Sequence, residues 1–296
     1  MIITMKKKLL GLAILLIVYG TAVVIGWFTF LLIAKYMPFI LAVLIADVAA
    51  TIFVWAMGVL CRTPSVYDPF WSLQTFFIYL GSLVFYNNWN QFTLVPLVAI
   101  LIYSIRLTAN FIKGFHDLTY VDWRYSMLKE KSGKLFQLVN LFGICMFPTL
   151  VVYSASIPLM VYASLPFESF SYVDFIGSGV ILLGTTLELI SDLQMKQFIK
   201  NRQSNQEVIN VGLWKYSRHP NYLGEILVWF GVALVLIPMH FQYWYFIFGA
   251  IINLLMFAFI SIPMEEKHML SYKPNLREYI KTTSPILILP RKRSEK

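Results

Sequence analysis

The residues best suited to chemistry lie in one stretch, 212–225, which reads Gly-Leu-Trp-Lys-Tyr-Ser-Arg-His-Pro-Asn-Tyr-Leu-Gly-Glu. It places cationic, amide and carboxylate groups directly before an apolar run: Arg218, His219, Asn221 and Glu225. Pro220 has a fixed φ and no N–H to lose, so it suits the first turn of a helix. A helix that begins there places Asn221 and Glu225 on one face. The pattern predicts a polar binding rim at a membrane surface.

An interfacial loop is the alternative interpretation of this stretch. Such a loop anchors aromatic side chains and an Arg among lipid headgroups. It would explain Arg218 and Tyr222, but it gives no reason for Glu225 to enter the helix. We therefore favour the binding site.

The composition indicates the class of protein. Hydrophobic residues make up 58% of the 296 residues and charged residues 13%, which differs strongly from the balance of a soluble domain. Because an apolar stretch of about 20 residues spans a bilayer as a helix, we predict an all-α, polytopic integral membrane bundle with about seven to eight transmembrane helices. We expect one membrane domain, 1–296, with these spans: 9–35, 38–61, 70–86, 92–112, 135–163, 172–198, 222–238 and 242–262.

Some spans carry further expectations. The runs 70–86 and 222–238 are short, and 135–163 is long enough to tilt or break near Pro148. The first run is too long for a secretory signal and lacks a small-residue cleavage pattern. Cys61 and Cys145 fall in or beside spans. We expect them to be small buried apolar residues and not parts of a disulfide framework.

The distribution of basic residues predicts the orientation. With eight spans, 23 of the 24 Lys and Arg residues fall on the side of the two termini, and Lys35 is the exception. The positive-inside rule makes that side cytoplasmic, and we expect a bacterial inner membrane. The net charge of +9 then reflects topology and attraction to anionic membrane lipid, as does the basic run 291–293. It requires no nucleic acid partner.

Ionisable side chains inside the spans form stripes at helical spacing. Each is costly in a membrane unless it is partnered or hydrated. The stripes comprise Glu188, Asp192 and Lys196 in the sixth span, Tyr103, Arg106 and Asn110 in the fourth, and Glu265, His268 and Tyr272 in the tail. Interhelical ion pairs and snorkelling side chains are the alternative explanation. Together with the 212–225 stretch, the stripes predict a hydrated pocket that opens to the cytoplasm.

Such a pocket suits an anionic cofactor. Arg, Lys and His bind phosphate, a carboxylate binds ribose hydroxyls or a carboxamide, and aromatic rings stack. No Gly-x-Gly-x-x-Gly or Walker loop is present, so neither standard soluble nucleotide fold is indicated. The four histidines and two cysteines lack metal-ligand spacing, and we expect no metal.

The stretch 212–225, with Trp229 and Gly231 after it, resembles the C-terminal signature of the steroid 5-alpha-reductase superfamily, and is closest to its bacterial branch. The similar region covers about 187–285, and weaker similarity extends back to about Val66. The core Arg-His-Pro-x-Tyr-x-Gly is shared with the isoprenylcysteine carboxyl methyltransferases, which bind S-adenosylmethionine. The ending Asn-Tyr-Leu-Gly-Glu favours the reductases.

The resemblance implies binding of NADPH and reduction of a carbon–carbon double bond conjugated to a ketone. It assigns Asn221 and Glu225 to the nicotinamide carboxamide. Together with the stripes, it gives these predicted cofactor contacts: Glu188, Asp192, Lys196, Trp214, Tyr216, Arg218, His219, Asn221, Glu225, His268 and Tyr272. Within this set, the resemblance places Asp192 and Lys196 on the nucleotide half, and His268 and Tyr272 near phosphate and ribose.

The resemblance also implies the reacting groups. Tyr103 and Arg106 occupy the positions of a Tyr and Arg pair in which the Tyr donates to the substrate carbonyl. The family pairs this Tyr with a Glu, but Arg62 stands in that place here, before Pro64-Ser65, and Asp68 is the nearest carboxylate. A phenol and a protonated carboxyl could stabilise the charge that builds on the oxygen when an enone accepts hydride. Tyr103, Asp68 and Arg106 are therefore the predicted catalytic residues.

The expected substrate is a lipophilic enone, such as a steroid or another polycyclic ketone, that enters from the membrane. Two other functions stay open on the sequence. One is an S-adenosylmethionine-dependent methyltransferase of the isoprenylcysteine carboxyl methyltransferase type. The other is a non-catalytic membrane protein that binds lipid or sterol.

Overall fold

The structure, a computed structural model, describes residues 2–166 and 172–291. Of the basic run 291–293, which is predicted to meet anionic lipid, residues 292 and 293 lie outside the described residues. Contacts within the chain divide it into two compact units, Met1–Ser169 and Phe170–Lys296. We describe each unit by itself.

The first unit is built from seven α-helices. They are α1 (Ile2–Ile33), α2 (Phe39–Leu60), α3 (Asp68–Tyr86), α4 (Gln91–Gly114), α5 (Trp123–Ser132), α6 (Phe136–Val139) and α7 (Phe147–Ser164). Short 3₁₀ turns occur at Pro64–Val66 and Gly133–Leu135. A π-helical segment, Asn140–Met146, joins α6 to α7 directly before Pro148. The predicted break near Pro148 does not occur, because Trp123–Ser164 is one continuous helical span that contains a widened, π-helical turn.

The connection between α3 and α4 is specified by local hydrogen bonds. Asn87 ends α3 in the left-handed conformation, with φ 49°. The side chain of Asn90 accepts from the backbone N–H groups of Phe92 and Thr93 at 2.9 and 3.1 Å. The Thr93 side chain returns to the backbone of Asn90, which completes a capping box. Four residues thus reverse the chain between two apolar helices.

Buried hydroxyl groups join the helices of the first unit. Thr149 on α7 lies 3.0 Å from the hydroxyl of Thr51 on α2 and 2.7 Å from that of Tyr67, just before α3. Thr75 on α3 bonds Ser156 on α7 at 2.8 Å. In a membrane protein, such pairs satisfy polar groups and bring helices close together.

The second unit contains the region of the signature. Its α-helices are α8 (Ile176–Asn201), α9 (Pro220–Leu236), α10 (Phe248–Met256), α11 (Ile262–Leu270) and α12 (Leu276–Thr282). The 3₁₀ segments are Tyr172–Phe175, Gly212–Lys215 and Phe241–Ile247, and Phe257–Ser261 is π-helical. An isolated parallel bridge joins Ser217 to Ser284. Helix α9 begins at Pro220, which confirms the prediction for that residue.

Glycines allow α8 and α9 to approach closely. A Cβ placed on Gly184 would lie 2.5 Å from the carbonyl oxygen of Gly224, and one on Gly177 would lie 2.3 Å from the backbone nitrogen of Val235. Real Cβ atoms do not approach other atoms so closely. The two backbones therefore touch, as is common where helices associate in membranes.

The structure confirms an all-helical, polytopic membrane bundle. Six helical segments of the described residues are long and apolar enough to cross a membrane: Met5–Ile33, Phe39–Leu60, Gln91–Gly114, Trp123–Ser164, Ile176–Asn201 and Phe241–Leu270. The two short predicted spans are helical but fall outside this group. Helix α9 has 17 residues, and α3 carries Ser72, Gln74 and Thr75 on a buried face. The count of eight and the cytoplasmic termini stay predictions.

Candidate functional site

The first turns of α9 carry the pair that the sequence singled out. Glu225 is buried, and its Oε1 accepts a hydrogen bond of 2.9 Å from Nε1 of Trp229, one turn later. Asn221 lies one turn before Glu225 on the same face. Its Oδ1 is buried and has no hydrogen-bond partner among the described residues. A buried amide oxygen without a partner costs about 1–3 kcal/mol, so this position is suited to a ligand that donates.

Gly224 brings α8 against this face. A Cβ at Gly224 would lie 2.5 Å from Cγ of Glu188 and 2.6 Å from the carbonyl oxygen of Gly184. Glu188 is only 2% exposed. The glycine of the Asn-Tyr-Leu-Gly-Glu sequence is thus explained by helix packing. It brings Glu188 of α8 against the residue directly before Glu225.

Arg218 and His219 both contact Glu266 on α11. Nε of Arg218 and Nε2 of His219 each lie 3.1 Å from Oε1 of Glu266. Nη1 of Arg218 also donates to the carbonyl oxygen of Ile280 at 3.1 Å. The His219 ring stacks on Tyr222, with centroids 5.1 Å apart. Because both side chains already contact Glu266, the geometry favours a positioning role for both residues over direct phosphate binding.

The two aromatic residues of the predicted set differ in environment. Trp214 is buried, and its Nε1 donates to the carbonyl oxygen of Ser191 at 3.0 Å. The hydroxyl of Tyr279 on α12 donates to the carbonyl oxygen of Trp214. Tyr216 is 39% exposed, and Nζ of Lys215 lies 5.7 Å from its ring centroid. Trp214 therefore belongs to the support of the motif, and Tyr216 offers an exposed ring.

The predicted stripe on α8 continues toward the end of the helix. Asp192 is half-buried and Lys196 is exposed, one and two turns after Glu188. On α11 the ring of His268 lies 5.5 Å from that of Tyr272, edge to face. Burial and the nearby Glu265 raise the pKa of the Tyr272 hydroxyl. The role of these four residues in binding a cofactor stays a prediction.

A basic pair near Tyr272 was not predicted. Lys273 is 9% exposed, and its pKa is lowered by burial and by the positive charge of Arg202. Glu265 raises the pKa of both Lys273 and Tyr272, and Arg202 lowers both. Two cations thus face one carboxylate, an excess of positive charge that a phosphate would neutralise. In the sequence, both residues looked like topology signals in cytoplasmic loops.

The predicted reacting groups lie in the first unit. Tyr103 is buried in α4, 1% exposed, and Arg106 is half-buried one turn later. Asp68 occupies the first turn of α3, where the hydroxyl of Tyr125 donates to its Oδ1. Burial raises the pKa of Asp68 to about 7, although Tyr125 opposes this shift. Tyr125 was missed because 57 residues separate it from Asp68 and no local pattern connects them.

Arg62, which stands where the resembling family has a Glu, is exposed and adopts a left-handed backbone with φ 58°. An exposed guanidinium is a poor replacement for a buried carboxyl. Asp68, half-buried and paired with a phenol, is the better candidate of the two. Within residues 2–166 and 172–291, no group of three or more His, Cys, Asp or Glu side chains is arranged to hold a metal ion.

A protein-family model matches residues 54–283 of the chain. The chain belongs to the family described as protein of unknown function (DUF1295). An uncharacterized protein of Schizosaccharomyces pombe is 24% identical to the chain over 225 residues, 67% of this chain. The chain spans 64% of that relative's length. No solved structure matches the chain.

The DUF1295 match covers the candidate residues of both units. It begins within α2, includes Asp68 and Tyr103, and contains the whole 212–225 motif. It ends one residue after α12, the helix whose Tyr279 supports Trp214.

Proposed function

We propose that this DUF1295 protein is a membrane-embedded, NADPH-dependent reductase. Its substrate would be a lipophilic, steroid-like ketone, and the reaction would reduce the carbon–carbon double bond conjugated to the carbonyl group. The proposal extends the resemblance of the motif 212–225 to the steroid 5-alpha-reductase superfamily. The observation that supports it most is the buried, unpartnered Oδ1 of Asn221.

The chemistry of Asn221 matches a nicotinamide carboxamide. A carboxamide carries two N–H donors and one carbonyl acceptor. Oδ1 of Asn221 would accept from the carboxamide N–H, in the position that the resemblance assigns to it. Glu225 on the same face is buried and already oriented by Trp229. A fixed carboxylate beside an amide oxygen offers two acceptors to one amide group.

The charges in the second unit suit the phosphates of the same cofactor. Lys196 is exposed at the end of the α8 stripe, and Arg202 follows that helix directly. Lys273 is a buried cation whose pKa is lowered by burial and by Arg202. A bound phosphate would relieve the repulsion between Arg202 and Lys273. These residues would hold the nucleotide half.

NADPH, when bound, would supply hydride to the β carbon of the enone, and water or the Tyr103 hydroxyl would supply the proton that the α carbon needs. The protein's task is to stabilise the negative charge that builds on the carbonyl oxygen. We assign donation to Tyr103 and to the protonated carboxyl of Asp68. With a pKa of about 7, Asp68 is substantially protonated at neutral pH. Because Tyr125 donates to Oδ1, it leaves Oδ2 to carry the proton.

NADPH titration of the purified protein in mild detergent tests the proposal. Asn221→Ala should weaken NADPH binding by about tenfold, the equivalent of one hydrogen bond of about 1.4 kcal/mol. The melting temperature should not fall, because the variant removes an unpartnered oxygen. Glu225→Gln should also weaken binding, and the exposed Asn210→Ala should not.

Two results would contradict the proposal. The first is unchanged NADPH affinity in both Asn221→Ala and Glu225→Gln, which would return the motif to a structural role. The second is methyl transfer from S-adenosylmethionine without NADPH consumption, which would identify a methyltransferase. The supporting result is loss of NADPH absorbance with an enone, together with a product heavier by two hydrogen atoms.

A further inference from the structure

A cavity of about 400 Å³ lies among α1, α2 and α3 of the first unit. Its volume falls in the range of ligand pockets, about 300–1,000 Å³. Most of its wall is aromatic or aliphatic, as at Trp27, Phe30 and Val43. Asp68, Tyr103 and Arg106 are not among its described lining residues. The wall of the cavity therefore does not include the groups assigned to the reaction, although Phe70 follows Asp68 by two residues.

Four side chains with hydrogen-bonding groups other than indole line this cavity, and the hydroxyl hydrogens of two of them are already engaged. The Tyr19 hydroxyl donates to the carbonyl oxygen of Val66 at 2.7 Å. The Ser82 hydroxyl donates to the carbonyl oxygen of Ile78, also at 2.7 Å. The other two are Asp47 and Gln74, which bring a carboxyl and an amide group to the wall.

The amide of Gln74 has a definite orientation. Its Nε2 donates to Oδ2 of Asp47 at 2.6 Å and to the carbonyl oxygen of Thr149 at 3.0 Å. A backbone carbonyl only accepts, so the nitrogen must face Thr149. Both amide hydrogens are then used, and Oε1 is buried with no hydrogen-bond partner among the described residues. Gln74 itself is 4% exposed.

We propose that this cavity binds a membrane-soluble alcohol, whose hydroxyl group donates to Oε1 of Gln74 and whose apolar body fills the aromatic space. A buried acceptor without a partner is unfavourable, and a ligand donor removes this cost. A neutral hydroxyl fits better than an ammonium group, because an apolar wall penalises a charged ligand strongly. The site is independent of the proposed reductase activity.

The apolar body of the alcohol can be a linear chain or a ring system, and the test uses probes of both kinds. Photoactivatable hexadecanol and its methyl ether form one pair of probes, and photoactivatable cholesterol and its methyl ether form the other. The ether keeps the apolar body and lacks the donor. The full-length protein in nanodiscs is labelled with each probe, and labelled peptides of α1, α2 and α3 are quantified.

We expect the alcohol of at least one pair to label these helices about tenfold more strongly than its ether, the effect of one hydrogen bond. Gln74→Met should make the two probes equal, whereas the exposed Gln91→Met should not. The pair in which the alcohol labels more strongly than its ether would show whether the bound alcohol is linear or ring-shaped.

Gly81→Leu provides a second test that leaves the Gln74 hydrogen bonds in place. Gly81 lines the cavity, and a Cβ there would lie at ordinary contact distance, 3.6 Å from Trp27. The larger side chain should reduce labelling by both members of a pair. Equal labelling by alcohol and ether in the wild type would overturn the proposal, as would labelling unchanged by Gly81→Leu. NADPH affinity, measured in parallel, reports on the reductase proposal alone.

Discussion

A single methyl group at Gly224 tests whether the contact between α8 and α9 holds the motif in place. In Gly224→Ala, the new carbon would lie 2.6 Å from the carbonyl oxygen of Gly184 and 2.9 Å from the backbone nitrogen of Glu188. Ordinary contact begins at 3.4 Å. Neither backbone atom can rotate away, so the helices must separate by about 0.8 Å in a closely packed interior.

The magnitude follows from two opposing effects. Overpacking of a closely packed site costs about 1–3 kcal/mol. Replacing glycine by alanine inside a helix recovers about 0.5–1 kcal/mol. We therefore expect Gly224→Ala to lower the free energy of unfolding by about 1–2 kcal/mol. Gly179→Ala on α8 is the matched control, because a Cβ there meets nothing within 4 Å, and it should be neutral or stabilising.

The assay is reversible unfolding of the two variants and the wild type in mixed micelles, followed by circular dichroism. NADPH affinity is measured on the same samples, because movement of α9 relative to α8 also moves Asn221 and Glu225, which α9 carries. The reasoning is refuted if Gly224→Ala is as stable as Gly179→Ala and binds NADPH like the wild type. Such a result would mean that α8 and α9 do not meet at these glycines.

Three further predictions concern the first unit and the topology. The pKa of Asp68 is raised from 3.8 to about 7 by burial, so its protonated form stabilises the fold. That contribution is complete below about pH 4 and is lost as the pH rises through about 7. The melting temperature should fall from about pH 5 to pH 8, and Asp68→Asn should flatten this slope; a parallel slope in the variant would argue against the assignment. Tyr103→Phe should lower enone turnover by about 10²–10³ without changing NADPH affinity, and a near-normal rate would remove Tyr103 from the mechanism. Reporter fusions after Lys296 and near Asn88 should give opposite signals if both termini are cytoplasmic, and matching signals would show that the span count is wrong.

Local features of the chain were readable from the sequence. The apolar runs became helices because burial of a continuous apolar segment in lipid depends on the segment alone. Pro220 begins α9 as predicted, since its fixed φ suits the first helical turn. Asn221 and Glu225 were predicted to share a face because residues four apart are neighbours on a helix surface. None of these features requires knowledge of a distant neighbour.

The number of spans was harder to predict. Helix α3 has an apolar second half, but Ser72, Gln74 and Thr75 face the interior of the first unit. Thr75 bonds Ser156 on α7, 81 residues away. Hydropathy cannot distinguish a polar residue that faces lipid from one that is satisfied by another helix. That distinction exists only after the helices have packed.

The chemistry of the sites depended on tertiary contacts. The sequence alone predicted a role for Asp68, but its pairing with Tyr125 appears only in the fold. It also gave no reason to single out Gln74, whose oxygen lacks a partner because Asp47 and the carbonyl of Thr149 orient its amide. Residue type and spacing determine which groups a helix can offer. Packing decides which of these groups are satisfied and which are left for a ligand, because hydrogen bonds and burial depend on neighbours that lie far apart along the chain.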